Sequence, residues 1–528
     1  MRKTKVVRLE EAARLIRDGA TITVSASSGL GCPDAMLAAI GARFRKTGSP
    51  TGLTTLHPIA AGDMYGIDGI DHLAEDGLLK RVVAGSLPSG PSSMPSPKIW
   101  RMIREDRVEA YNIPSGILFH MHREAAAKRP GILTKVGMDT FVDPHLMGGR
   151  MNVCSTEDVV TRVSFDGDDW LFFRSIPVDA ALIRGTSADE EGNVSSEHEG
   201  APLGVYDQAL AAHNNGGTVI VQVKRIVKTG SIPAQRVSVP GVVVDYVVVD
   251  PDQMQTTQTR YDPAISGEIS PADDSFAPAE WGAAKVIARR AAMELCAGDV
   301  VNLGFGISAL VPRILFEEGH AHDVTWVIEQ GAVGGMPLLD FQFGCAAGAR
   351  AIMASPDQFT YFHGGGFDRS MLSFLEIGHN GDVNVSRLGA RPHITAGVGG
   401  FIDITAQVKH IVFLGYFATG GLRVSASDGR MRIEREGKIQ KIVPDVEHVT
   451  FSGPRALRQW QQVTYITERC VLRLTEDGLE VVEIAPGIDL DRDVRGQTTV
   501  PLRVSPRLKA MDAQLFHPEP MGLKLIRS

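Results

Sequence analysis

The stretch Val324-Thr325-Trp326-Val327-Ile328-Glu329-Gln330-Gly331-Ala332-Val333-Gly334-Gly335-Met336-Pro337 decides how this chain is read. It starts as a short run of β-branched and aromatic residues, the pattern of a buried strand, and then changes abruptly to small residues and glycine. Glu329 stands at the change. A carboxylate at the end of a parallel strand, beside glycines that let another molecule come close, lies where open α/β sheets bind ligands. The ordinary alternative is a solvated glutamate that merely ends a strand.

Upstream, Trp281 to Cys296 reads as a helix with Val286, Ile287, Ala291 and Leu295 along one side, and Gly298 closes it. Val300-Val301-Asn302-Leu303 follows as a strand, and Gly304-Phe305-Gly306-Ile307-Ser308-Ala309 opens another helix. The same order occurs near the start. Residues 9 to 18 are helical in spacing, Gly19 closes them, Thr21-Ile22-Thr23-Val24 is a strand, and the small-residue loop from Ser25 to Asp34 leads into a helix from Ala35 to about Phe44. Two further pairs suggest duplication: Glu191-Gly192-Asn193-Val194-Ser195 with Gly381-Asp382-Val383-Asn384-Val385-Ser386, and Gln222-Val223-Lys224-Arg225-Ile226-Val227 with Gln407-Val408-Lys409-His410-Ile411-Val412. The interval from Gly19 to Gly192 exceeds that from Gly298 to Gly381 by about 90 residues, so the first half carries an insertion, expected mainly between about 64 and 165. It includes the Pro/Ser-rich segment from Ser86 to Pro97, which is unsuited to regular structure.

The expected fold class is therefore α/β, with two related, mostly parallel α/β domains. The first spans 1–250, a linker rich in Asp, Thr, Gln, Pro and Ser spans 251–276, and the second spans 277–528 and carries Glu329. A chain of 528 residues fits more than one core. With 43% hydrophobic and 22% charged residues it belongs with water-soluble globular chains, and no window approaches the ~18 apolar residues of a membrane helix. The charged start lacks the apolar segment of a secretory signal, so a cytoplasmic location is expected. Cys32, Cys154, Cys296, Cys345 and Cys470 have neither metal spacing nor a disulfide framework. A net charge of −8 without a basic block excludes the electrostatic footprint of a nucleic-acid binder and favours small-molecule partners.

Two chemistries fit the residues around Glu329. Gly304-x-Gly306-x-x-Ala309 after a strand, with an acid ending the next strand about 20 residues on, matches the dinucleotide fingerprint of an NAD-dependent oxidoreductase. Against that, Glu329 has its own glycine loop, which a ribose-binding acid does not need, and the first-half counterpart Leu56-His57-Pro58-Ile59-Ala60 carries no acid. On the residues alone the two readings stand level. Gly397-Val398-Gly399-Gly400-Phe401 could present backbone N–H groups to a developing oxyanion, or form a tight turn before a strand from Phe401 to Thr405. His363-Gly364-Gly365-Gly366-Phe367-Asp368 could cradle a phosphate or simply turn. His120 and His122 lie in a helical segment, Ile117 to Lys128, where such neighbours point apart, so no metal is expected there. Cys32 has no identifiable base.

Taken together these motifs resemble the family I coenzyme A transferases, in particular the acetate and propionate CoA-transferase branch with both halves fused in one chain. The resemblance is carried by Val301 to Gly306, Glu329 to Pro337, His363 to Asp368, Val383 to Ser386 and Gly397 to Phe401, and in the first half by Glu109 to Pro114 and Gly137 to Pro144. It implies an active site between two related α/β domains, with Glu329 as catalytic nucleophile and the backbone at Gly400 and Phe401 close to the thioester, while the glycine turn itself offers Gly399 and Gly400 as oxyanion donors. Asn302, Gly304, Gly306, Gly331, Gly397 and Phe401 would line the substrate and CoA site. It further implies acyl-CoA and small carboxylic acids as partners, CoA as substrate with no permanently bound cofactor, and a homo-oligomer, a tetramer being the candidate size. Ser25 to Cys32 is richer in serine than its counterparts, and Ser86 to Pro97 also departs from the pattern; both bear on the acyl group. An unperturbed glutamate titrates near ~4.3, so Glu329 is expected to be ionised at neutral pH without a separate base.

Overall fold

The computed structural model describes residues 5–63, 65–89, 96–272, 275–389 and 396–527. Its first large sheet has eight strands, all parallel, in the order Lys5–Val6, Tyr246–Val249, Thr218–Val223, Ala180–Arg184, Thr21–Val24, Leu53–His57, Leu79–Ala84 and Glu109–Asn112. A second sheet of ten strands contains five central parallel ones, in the order Gln462–Ile466, His410–Leu414, Arg369–Ser373, Val300–Leu303 and Thr325–Val327. These five repeat, place for place, the run from Tyr246–Val249 to Leu53–His57. Within each run of five the first strand in sequence lies between the second and the third, the arrangement in which ligands gather outside the strand ends where the order reverses.

The duplication extends to a small hairpin in each half. Val194–Ser195 runs antiparallel to Ser187–Asp189, as Val383–Asn384 does to Glu376–Gly378. The other sequence match fails. Gln222 and Val223 end a core strand and Arg225–Val227 forms a separate strand on Ser187–Asp189, whereas Gln407 and Val408 precede the strand His410–Leu414. The structural counterpart of His410–Leu414 is Thr218–Val223, so the resemblance of the two windows reflects β-forming composition rather than position.

The insertion in the first half has a definite use. It adds the parallel strands Leu79–Ala84 and Glu109–Asn112, a three-stranded antiparallel sheet, and the helix Ser115–Ala126. That helix packs on the second half. Ile117, Phe119 and Met121 join Phe359, Phe362 and Ile402 in one buried cluster, with the rings of Phe119 and Phe359 5.7 Å apart. On its polar side Arg123 pairs with Asp207 of its own half and Asp357 of the other, and His120 bonds the carbonyl of Pro356. His122 is turned inward to Thr23 and the carbonyl of Leu118, so the two histidines do not converge, and no metal-binding cluster occurs among the described residues. Residues 251–272 contain neither helix nor strand, and Thr256 and Ile265 within them are buried. Among the described residues no helix is long and apolar enough to cross a membrane.

One element differs from its sequence reading. Phe401–Thr405 is a helix, not a strand, and all five side chains are buried. Ile402, Ile404 and Thr405 favour strands, but that preference is weak, and in the helical turn the buried Asp403 carboxylate meets the Gly116 N–H and His363.

Phe119→Ala would open a cavity at the seam and is expected to cost about 3–5 kcal/mol. The check is a lowered thermal midpoint; an unchanged midpoint would mean that the seam does not bear on stability.

Candidate active site

Glu329 projects just past the C-terminal end of the strand Thr325–Val327, which lies in the second sheet between Val300–Leu303 and Ala332–Val333. The chain turns sharply behind it: Gly331 donates to the Ile328 carbonyl (2.9 Å) and Ile328 to that of Ala332 (2.9 Å). Gly331 has φ of 124°, and a Cβ there would collide with the Met353 carbonyl oxygen, so glycine is required. On the neighbouring strand Asn302 is fully buried and its Nδ2 donates to the Val327 carbonyl (2.9 Å). That bond fixes the orientation of the amide and leaves Oδ1 without a partner in the protein, a buried acceptor available to a ligand. Gly304 and Gly306 follow on the same strand end, where a Cβ would press on Leu372 and Ser373 respectively, and a 3₁₀ turn and the helix Val311–Glu317 begin after them.

The segment 396–403 crosses from the second half to the first and meets Glu329. Leu87 donates to the Ala396 carbonyl (2.6 Å), Val398 N–H donates to Asn112 Oδ1 (3.0 Å), Gly399 N–H to the Gly85 carbonyl (2.8 Å), and Ser115 N–H to the Gly399 carbonyl (2.9 Å). Asn112 in turn donates through Nδ2 to the carbonyls of Ala84 and Gly85. Held in this way, Gly400 turns its N–H to the Glu329 carboxylate. A Cβ on Gly400 would strike Glu329 Oε2, and would lie 2.9 Å from the Phe359 ring. The N–H of Gly399 is engaged by Gly85 and that of Phe401 by the Val398 carbonyl (3.1 Å), so of these three donors only Gly400 faces the carboxylate. Gly399 and Gly400, expected together as oxyanion donors, thus differ in what their N–H groups meet: the Gly85 carbonyl for Gly399 and the Glu329 carboxylate for Gly400. Gly397, with φ of 120°, bridges Ser86 and lies against Asn112.

Gln330 contributes from the same loop. Its Nε2 lies 3.0 Å from Ser27 Oγ in the first half and 3.2 Å from Glu329 Oε1. The serine-rich loop therefore reaches the carboxylate through an amide. The electrostatics also depart from expectation: burial, and then the nearby negative charge of Asp403, push the Glu329 carboxyl from the ordinary range up to about 7, against the opposing bonds from Gly400 and Gln330. Glu329 is not fully ionised at neutral pH. In the His363–Asp368 loop the N–H groups of Gly364, Gly365 and Gly366 are bonded to the carbonyls of Thr360, Phe362 and Tyr361, and His363 ends the helix Ser355–His363 and bonds Asp403. Cys32 is buried, and burial first and then Asp34 raise its thiol well above the ordinary value, which removes it as a nucleophile.

Sequence reasoning located Glu329, Asn302 and the glycine loops but not Asn112, Gly85, Gln330 or Asp403. The clue for Asn112 was present in Glu109-Ala110-Tyr111-Asn112-Ile113-Pro114, an asparagine at a strand end just before a helix start. No local pattern marks the others.

Known proteins resemble this chain over nearly its whole length. The coenzyme A transferase family model matches residues 6–250. The caffeate CoA-transferase of Acetobacterium woodii is 38% identical over 528 residues, 99% of each chain. The acetate CoA-transferase YdiF of Escherichia coli strain K12 is 37% identical, over 99% of this chain and 97% of its own. The acyl-CoA transferase YdiF apoenzyme from Escherichia coli O157:H7 superposes with a TM-score of 0.92 at 36% identity, over 100% of this chain and 98% of that one. The same enzyme solved as its thioester complex with CoA gives 0.91. The oxidoreductase reading of Gly304, Gly306 and Glu329 finds no support among these relatives.

The Glu329 carboxyl is expected to titrate with a midpoint near 7, protonated below it and ionised above, in infrared difference spectra against Glu329→Gln. A midpoint close to that of a free glutamate would contradict the environment described.

Proposed function

We propose, from the premise that this chain belongs to the coenzyme A transferase family and is a CoA-transferase, that it moves CoA between a short-chain acyl-CoA and a free carboxylate through a thioester on Glu329. The observation that carries this reading is the Glu329 carboxylate facing the Gly400 N–H at the seam between two α/β units. The units are 1–250 and 277–528, joined by 251–276.

Glu329 in its ionised form attacks the thioester carbonyl carbon of the acyl-CoA. The oxygen of that carbonyl gains negative charge and accepts a hydrogen bond from Gly400, where an oriented donor in a water-poor site stabilises the transition state. The C–S bond breaks, leaving a mixed acyl–glutamyl anhydride and CoA thiolate. The thiolate then attacks the glutamyl carbonyl; the anhydride C–O bond breaks, the donor's carboxylate leaves, and Glu329 holds CoA as a thioester. An acceptor carboxylate runs the same steps backwards. Thioester energy is kept throughout, so the chemistry calls for no permanently bound cofactor, and CoA enters as substrate. Asn302 offers its free Oδ1 to a donor group on the substrate, and Gly304, Gly306, Gly331, Gly397 and Phe401 form the close-fitting backbone around it. Gly399 serves by anchoring the segment. Because the nucleophile must be ionised, turnover falls as pH drops below about 7.

A second substrate reading comes from the caffeate CoA-transferase at 38% identity, so the deciding panel sets acetate, propionate and butyrate beside caffeate. Turnover confined to the aromatic acid would replace the short-chain assignment. A cytoplasmic location and a homo-oligomeric state are part of this proposal, and light scattering decides the size of the oligomer.

The intermediate itself is open to measurement. Incubation with acyl-CoA and no acceptor is expected to add the mass of CoA less one water to the peptide holding Glu329, and hydroxylamine is expected to remove it. Glu329→Gln should acquire no adduct and lose nearly all turnover while still binding acyl-CoA. An adduct on another residue, or full activity in the Gln variant, would refute the assignment.

A further inference from the structure

Asp403 is a fully buried carboxylate three residues beyond Gly400. Its Oδ2 accepts the N–H of Gly116 in the first half (3.0 Å), and its Oδ1 accepts from His363 Nε2 in the second (2.8 Å). Gly116 is the second residue of the helix Ser115–Ala126, so an anion from one half sits at the N-terminus of a twelve-residue helix of the other, where unpaired N–H groups and the helix dipole favour it. The fit is tight: a Cβ on Gly116 would lie 2.6 Å from Asp403 Oδ1 and 2.7 Å from the Phe359 ring. Behind His363, the ring of His120 stands edge-on at 5.0 Å. Burial, and then the neighbouring His363, push His120 down to about 4, so it contributes no charge at neutral pH.

Gln330 and Gly400, both neutral, bond Glu329, and Asp403 lies across the Phe359 ring, which packs against Gly400 on the Glu329 side and Gly116 on the Asp403 side; among the described residues Asp403 is the ionisable group whose charge bears on Glu329. Asp403 is faced by His363 and, beyond it, His120. From this arrangement we propose that Asp403 is a positioning residue: bonded to Gly116 and His363, it holds the Gly397–Phe401 segment against the first half and, through its negative charge, governs how readily Glu329 ionises. His363 moderates that charge by donating to it. The effect on turnover rests on the CoA-transferase reading; the effect on Glu329 ionisation does not. A carboxylate that served only as a helix cap would alter stability and leave the titration of Glu329 where it was.

The test compares Asp403→Asn, His363→Phe and His363→Gln with the wild type. The Glu329 carboxyl is followed by infrared difference titration, each variant referenced to the same variant carrying Glu329→Gln, and kcat/KM for acyl-CoA is followed against pH. Asp403→Asn removes the negative charge and keeps the shape, so the midpoint is expected to move to lower pH. His363→Phe removes the donor and leaves Asp403 uncompensated, so the midpoint is expected to move to higher pH. His363→Gln restores a donor and is expected to return the midpoint towards that of the wild type. A His363→Phe midpoint that coincides with that of the wild type overturns the proposal, as do shifts of Asp403→Asn and His363→Phe in the same direction. If Asp403→Asn fails to fold, the histidine variants decide alone. If the midpoints move as expected while the wild type forms no CoA adduct, the transferase reading fails and this one stands.

Discussion

The structure depends on hydrogen bonds that cross from one half to the other through residues 396–403. Each such bond contributes on the order of 0.5–1.5 kcal/mol net, so the set amounts to a few kcal/mol, modest against the buried apolar surface of the seam. Its importance is directional. A backbone N–H can act on a developing charge only when it is aimed before the reaction starts, and Gly400 is aimed because Val398, Gly399 and Asp403 on either side are fastened to Asn112, Gly85, Ser115 and Gly116. Glu329 and the Gly400 N–H that faces it belong to the second half; the frame that aligns them belongs to the first. This is why the insertion in the first half, which brings Glu109–Asn112 and Ser115–Ala126, is part of the site and not an appendage.

The architecture was largely legible in the linear sequence. Thr21–Val24 and Val300–Leu303 fall where the β-branched runs placed them, because each is preceded by a glycine with positive φ, Gly19 at 72° and Gly298 at 98°, and followed by small residues. Glu329 was legible for the same reason: the change from strand to glycine loop is a local pattern. The failures are non-local. The windows at Gln222 and Gln407 match in letters but not in place, and Phe401–Thr405 takes a helical turn in which Asp403 meets Gly116, far away in sequence.

The ionisation of Glu329 shows the same limit more sharply. A glutamate in water is an anion at neutral pH; this one is pushed up to about 7, first by burial and then by a carboxylate far along the chain. Nothing near Glu329 in the sequence announces Asp403. A carboxyl that titrates near neutrality has a chemical consequence: its anion is a stronger nucleophile than an ordinary carboxylate, while a fraction of it is idle at neutral pH. A site built in this way exchanges some standing readiness for reactivity, and the balance lies with two residues, Asp403 and His363, that do not touch the substrate in the mechanism above.

The central claim is that Glu329 becomes bonded to CoA with its remaining oxygen turned to Gly400. A crystal structure of the protein soaked with acyl-CoA in the absence of acceptor tests it most directly. The account predicts continuous density from the Glu329 carbonyl carbon to the CoA sulfur, with the thioester oxygen within hydrogen-bonding distance of the Gly400 N–H and residues 396–403 still fastened to Asn112 and Ser115. CoA bound with its sulfur remote from Glu329, or a thioester oxygen directed away from Gly400, would contradict it.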